Sequence, residues 1–93
     1  MTTIEDVITY TKSILKFAQA DFSKSPTSVR WNMCMRAMFV YQQADFASRS
    51  ATVDRKQLLA DLDNKPYGAW EDIISKATTG KTVRENVQEF AVI

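Results

Sequence analysis

The chain has 93 residues, enough for one domain and too few for two, so residues 1–93 are predicted to form a single helical domain. Its formal charge of +1 excludes the strong field that steers a protein toward nucleic acid or an anionic membrane. The chain has no histidine, which excludes the commonest general base, histidine-paired nucleophiles and most zinc sites. We therefore expect a protein that is not an enzyme and that uses neither a metal nor a cofactor.

A few residue counts predict the compartment and the fold class. Cys34 is the single cysteine, and residues 1–12 lack the basic start and apolar core of a signal peptide. No apolar run approaches the roughly 18 residues of a membrane span, so we expect a cytoplasmic protein without a membrane partner. Two glycines and two prolines are few, which favours long helices over a β-sandwich or barrel.

The first predicted helix covers residues 3–22. Thr2 and Glu5 fit a capping box, in which each side chain caps a backbone amide of the first turn. At about 100° per residue, the apolar side chains form one face that we expect to be buried. That face contains Ile4, Ile8, Leu15, Ala18 and Phe22, widened by Val7, Thr11 and Ile14. The segment 23–28 then breaks the helix, with Ser25 or Thr27 as the next N-cap, and its shortness predicts two antiparallel neighbours.

The second predicted helix, residues 27–48, is apolar around nearly all of its circumference. Its polar residues Asn32, Arg36 and Gln43 form only a narrow stripe, and a helix of this kind is predicted to be buried on several sides. Its three methionines lie on both apolar sides, so we expect most of them in the core: Met33, Met35 and Met38. Because the rest of the chain is short, either it wraps this helix tightly or part of the helix meets another molecule.

The second half of the chain predicts two or three short helices. The third helix follows Thr52 as N-cap and covers residues 53–62, and the fourth covers residues 67–77 and ends at Gly80. The Thr82-x-x-Glu85 capping box opens the last helix. Their expected core-facing residues are Leu58, Leu59, Leu62, Trp70, Ile73, Ile74, Ala77, Val83, Val87, Phe90 and Ala91. The expected fold is all-α, a small bundle of four to five helices built on an antiparallel hairpin of two long helices.

The leading hypothesis for function is a non-enzymatic protein–protein interaction module. A small adaptor, regulator or inhibitor of this kind would bind another protein, including a second copy of itself, through helix 2. The side chains expected at this surface are Trp31, Met35, Met38, Tyr41 and Tyr67.

Two alternatives involve charged ligands. A small anion such as a nucleotide could bind where free amides at the start of helix 2 attract negative charge, with Lys24, Ser25, Thr27, Ser28 and Arg30 around it. Helices 3 and 4 could also form a helix-turn-helix that reads DNA. Glu71 and Asp72 would lie near the start of the reading helix and repel phosphate, so nucleic acid is the less favoured partner.

Overall fold

Two long antiparallel helices form the framework of the protein, and three shorter helices follow them. The structure, a computed structural model, describes residues 1–91 and the side chains of residues 1–88. The helices are α1 (Ile4–Lys24), α2 (Ser28–Arg49), α3 (Arg55–Leu62), α4 (Tyr67–Thr79) and α5 (Val83–Ala91), and the described residues include no strand. α1 packs along α2, α4 and α5 pack against α2, and α3 packs against α4. The predicted all-α bundle on a two-helix hairpin is confirmed.

The first helix begins one residue later than the sequence predicts. Thr3 caps it, since its hydroxyl accepts the Asp6 N–H at 3.2 Å and the Asp6 carboxylate accepts the Thr3 N–H at 3.0 Å. The predicted Thr2 and Glu5 box is therefore wrong. The Thr2 N–H instead donates to Asp63 Oδ1 at 2.7 Å, which ties the start of the chain to the turn between α3 and α4.

The later helix ends follow local capping chemistry. Of the two predicted N-caps, Ser25 and Thr27, it is Thr27 that caps α2, because its hydroxyl accepts the Arg30 N–H. The third helix begins two residues later than predicted: Asp54, not Thr52, is its N-cap and accepts the Gln57 N–H at 3.1 Å. Gly80 has a φ of 76° and ends α4 in the left-handed conformation that glycine adopts without strain, as predicted.

The core lies between the α1–α2 hairpin and the three short helices. Its fully buried large side chains come from α1, from α3 and α4, and from the start of α5: Val7, Leu58, Leu62, Ile74 and Val83. The prediction that Ala77 faces the core is wrong, because its side chain is exposed, and Leu59 and Ile73 are only half-buried. Phe90 and Ala91 lie outside the residues whose side chains are described.

Three helices pack against α2, but the prediction that it is buried around most of its circumference is wrong. The residues it buries are small and lie on one stripe: Cys34, Ala37, Val40, Ala44 and Ala47. Trp31 is 51% exposed and Met38 is 45% exposed. Met33 is 48% exposed, so placing most of the methionines in the core was also wrong, and Met35 is half-buried. The neighbouring helices approach α2 over its small side chains, and its larger apolar side chains remain at the surface.

Buried polar side chains join α4 to α5. Asn86 Nδ2 donates to Ser75 Oγ at 2.8 Å and to Thr79 Oγ1 at 2.9 Å, and Ser75 Oγ donates to the Lys81 carbonyl at 2.7 Å. Ser75 and Asn86 are buried, so each bond also satisfies a group that water cannot reach. This network fixes the position of α5 beside α4.

The capping box of α5 predicts a response to acid. Hydrogen bonds from the Thr82 backbone and side chain lower the pKa of Glu85 below its ordinary 4.5. A carboxylate whose pKa is lower in the folded state than in the unfolded state stabilises the fold at pH values above the unfolded-state pKa. This stabilisation is lost as the pH falls through the folded-state pKa. Glu85→Gln is therefore expected to lower the melting temperature at neutral pH. Below pH 4.5, the melting temperature of this variant is expected to fall less than that of the wild type.

Thermal unfolding from about pH 7 to about pH 3 measures this difference. Glu5→Gln is the matched control in the first turn of α1, because Asp6 and not Glu5 forms the cap there. Equal acid sensitivity of wild type and Glu85→Gln would show that this cap contributes nothing to the folded state.

Candidate protein interface

An apolar groove lies between α1 and α2. It encloses about 350 Å³, and its lining includes no charged side chain. Residues Leu15, Gln19, Phe22 and Ser23 line it from α1, and Trp31, Cys34, Met35 and Met38 line it from α2. Trp31 lies about 180° around the helix from Val40, which is in the core, so the groove opens away from the core. We call its five large apolar residues, Leu15, Phe22, Trp31, Met35 and Met38, the α1–α2 face.

Contacts at the helix ends hold this face in place. The rings of Trp31 and Phe22 meet with centroids 5.5 Å apart and planes tilted by 52°. Next to them, Arg30 Nε donates to Asp21 Oδ2 at 3.0 Å and joins the start of α2 to the end of α1. Beneath the face, the buried Cys34 thiol donates to the Ala18 carbonyl at 3.1 Å. The apolar side chains are thus presented on two helices that are fixed to each other.

The structure brings together three of the five side chains predicted for the interface. Trp31, Met35 and Met38 line one groove, whereas Tyr41 is half-buried and outside that lining. Tyr67 lies in a different cluster, at the start of α4. Sequence reasoning missed Leu15 and Phe22, which it assigned to the core because they fall on the apolar side of an amphipathic helix. Their half-burial could not be read from that pattern.

Three aromatic rings join α1 to α4. Tyr67 is exposed but stacks on Tyr10 with ring centroids 4.6 Å apart, and Trp70, only 5% exposed, meets both rings edge-on. The Tyr10 hydroxyl donates to the Tyr67 carbonyl at 3.3 Å, and burial raises the pKa of Tyr10, with Glu71 and Tyr67 adding to the effect. These ring contacts make the cluster a structural joint, and the same three rings form part of the lining of a hollow of about 510 Å³ beside the N-terminus.

One of the two positive charges at the predicted anion loop, that of Arg30, is neutralised by the Asp21 carboxylate of α1. The Arg30 side chain is paired with Asp21 and also donates to the Ser25 carbonyl at 3.5 Å. The Arg30 backbone N–H donates to the Thr27 hydroxyl and is therefore not free for an anion. Lys24 and Ser28 are exposed. An incoming anion would have to compete with the Asp21 carboxylate for Arg30. Nucleotide binding at this loop remains a prediction, and these contacts oppose it.

The acidic residues at the start of α4 are engaged within the fold. Arg36 Nε donates to Glu71 Oε2 at 3.0 Å, and the Asp72 carboxylate accepts the Val83 N–H at 3.1 Å. Both carboxylates lie on the helix that would have to read DNA, which opposes phosphate contact. DNA binding also remains a prediction, without support from these contacts.

Searches for a metal site and for a membrane span were negative in the described part of the chain. Residues 1–88 bring no three metal-ligating side chains of the His, Cys, Asp and Glu types together. Among the same residues, no helix is long and apolar enough to cross a membrane. Comparison with protein-family models, with curated proteins and with solved structures found no match for this chain.

Proposed function

We propose that the protein is a non-enzymatic interaction module that self-associates through the α1–α2 face. The observation that carries this proposal is the exposure of large apolar side chains on one continuous groove, with Trp31 and Met38 about half exposed. Exposed apolar surface costs free energy in water, and a contiguous patch of this kind is typical of a binding surface. An aromatic side chain at the centre of such a patch is the commonest anchor of a protein contact.

A second copy of the chain is the partner that the charges favour. The lining of the groove carries no charge, so the face can meet its own copy without placing like charges together. The formal charge of +1 also produces little repulsion between two molecules. Two-fold symmetric dimers are the commonest oligomers, and their interfaces pair one patch with itself.

The apolar surface of α2 continues beyond the groove. With 22 residues the helix extends about 33 Å, and the exposed Phe46 continues the apolar surface toward its C-terminal end. A stable interface buries about 800 Å² on each partner, more than the groove alone can supply. We infer that the dimer contact extends along α2 from Trp31 to Phe46. In the cytoplasm, where we place the protein, the lone buried Cys34 would remain a thiol.

Light scattering after size-exclusion chromatography tests this proposal on the unmodified chain. The mass is expected to rise with concentration from 10.6 kDa toward twice that value. A mass that stays at 10.6 kDa at every concentration would remove self-association as the function of the face.

A further inference from the structure

A second groove lies on the opposite side of α2. Met33 is about 200° around the helix from Trp31 and lies between two adjoining hollows of about 310 Å³ and 390 Å³. Both hollows are lined by Met33 and Arg36. One extends to Phe17 on α1, and the other extends to Arg84 and Val87 on α5. We call these two adjoining hollows, which share Met33 and Arg36, the Met33 groove.

The groove is concave and has exposed apolar walls. Phe17 and Val29 are both 68% exposed, and Met33 is 48% exposed. Four helices contribute to the walls, since Glu71 of α4 also lines the hollow next to Phe17. This shape differs from that of the α1–α2 face, which only two helices form, and it fits a narrow rod such as one helix.

The rim of the groove is basic. Arg36 is paired with Glu71 at 3.0 Å, whereas Arg84 forms no ion pair among residues 1–88. Two acidic residues of α4 and α5 accept backbone hydrogen bonds: Asp72 accepts the Val83 N–H, and Glu85 accepts the Thr82 N–H. Arg84 is exposed, and within residues 1–88 its positive charge lies unpaired at the edge of the apolar groove.

We propose that the Met33 groove binds an amphipathic helix of another protein whose apolar stripe is flanked by acidic residues. The apolar stripe would lie against Met33 and Phe17, and the carboxylates would pair with Arg84 at the rim. Two copies of this chain meeting at the groove would bring their arginines together, which disfavours self-association here. The inference goes beyond the proposed self-association, because an adaptor needs a second surface for a second partner.

Three synthetic helical peptides test this proposal. They share one apolar stripe at positions i, i+3, i+4 and i+7, and the flanking positions hold glutamate, glutamine or lysine. Fluorescence anisotropy of each labelled peptide is measured against the full chain at physiological salt. The glutamate peptide is expected to bind at least about tenfold more tightly than the lysine peptide, and Arg84→Glu is expected to reverse that order.

Two matched variants locate the bound peptide. Met33→Asp is expected to weaken the binding of the glutamate peptide at least about tenfold, because it places a negative charge in the groove against a negatively charged peptide. Met38→Asp, on the opposite side of α2, is expected to leave peptide binding unchanged. Since both methionines are about half exposed, the two substitutions disturb folding to a similar degree.

Several results would overturn the proposal. Failure of all three peptides to bind would show that the groove does not accept a helix. Equal affinities of the three peptides would remove the charge preference. Loss of binding in Met38→Asp but not in Met33→Asp would move the binding site to the α1–α2 face. Binding of a duplex oligonucleotide that Arg84→Glu abolishes would assign the rim to phosphate instead. If the wild type is monomeric and still binds the glutamate peptide, the proposed dimer is contradicted, whereas the binding of a helix at the Met33 groove is supported.

Discussion

Replacing Trp70 with alanine is expected to lower the free energy of unfolding by about 3–5 kcal/mol. The indole is 5% exposed and contacts the rings of Tyr10 and Tyr67, so it fills the junction between α1 and α4. Removing it leaves a cavity at the position where these helices meet near the start of the chain. Because small domains have about 5–15 kcal/mol of total stability, this loss is a large fraction of the whole.

Trp70→Phe separates ring packing from the polar group of the indole. Trp70 Nε1 is buried and has no hydrogen-bond partner among the residues that the structure describes, and such a donor costs about 1–3 kcal/mol. Phenylalanine keeps most of the ring and removes that donor, so the variant is expected to lose much less stability than Trp70→Ala. Chemical denaturation of both variants and the wild type measures the difference. A Trp70→Ala protein within about 1 kcal/mol of wild type would contradict the assignment of Trp70 as the junction residue.

Replacing Met38 with aspartate is expected to dissociate the proposed dimer while leaving the fold intact. In a two-fold contact each substitution appears twice, so two carboxylates would be buried against the apolar α1–α2 face. We expect the dissociation constant to rise by at least about 100-fold, which corresponds to about 3 kcal/mol, as for a residue at the centre of an interface. The mass from light scattering and the helical circular dichroism of the same samples measure association and folding separately.

Met33→Asp is the matched control for this effect. It has the same side-chain change on the same helix at nearly the same exposure, 48% against 45%, but it faces the opposite groove. The control is expected to keep the association of the wild type. If both variants dissociate equally, the face does not determine association, and if Met38→Asp unfolds, Met38 belongs to the core.

The parts of the fold that the sequence predicts correctly depend on neighbouring residues in the chain. Thr27, Gly80 and the Thr82–Glu85 box are located as expected, because a cap needs only a side chain and the amides of one turn. At the start of α1 the neighbouring Thr3–Asp6 box forms instead, and Asp63, far along the chain, takes the Thr2 amide that the predicted box would have used. The sequence offers no local signal of that contact.

The burial of α2 could not be predicted, because an apolar pattern does not say which side its neighbours occupy. The alanines at positions 37, 44 and 47 allow other helices to approach α2 closely, and α4 and α5 both pack against α2. This arrangement leaves Trp31 and Met38 exposed although they are among the most apolar residues of the helix. The sequence predicted Trp31, Met35 and Met38 as a surface, but not the partners Leu15 and Phe22 or the basic groove around Met33.

The fluorescence of Trp31 in a Trp70→Phe protein tests the self-association of the α1–α2 face most directly. Trp31 and Trp70 are the only tryptophans of the chain, so this variant reports the surroundings of the interface residue alone. As concentration rises, we expect the emission maximum to move to shorter wavelength and quenching by acrylamide to weaken, because a second copy covers the indole. Met38→Asp in the same background is expected to remove both changes. An emission spectrum and a quenching constant that do not vary with concentration would contradict self-association through this face.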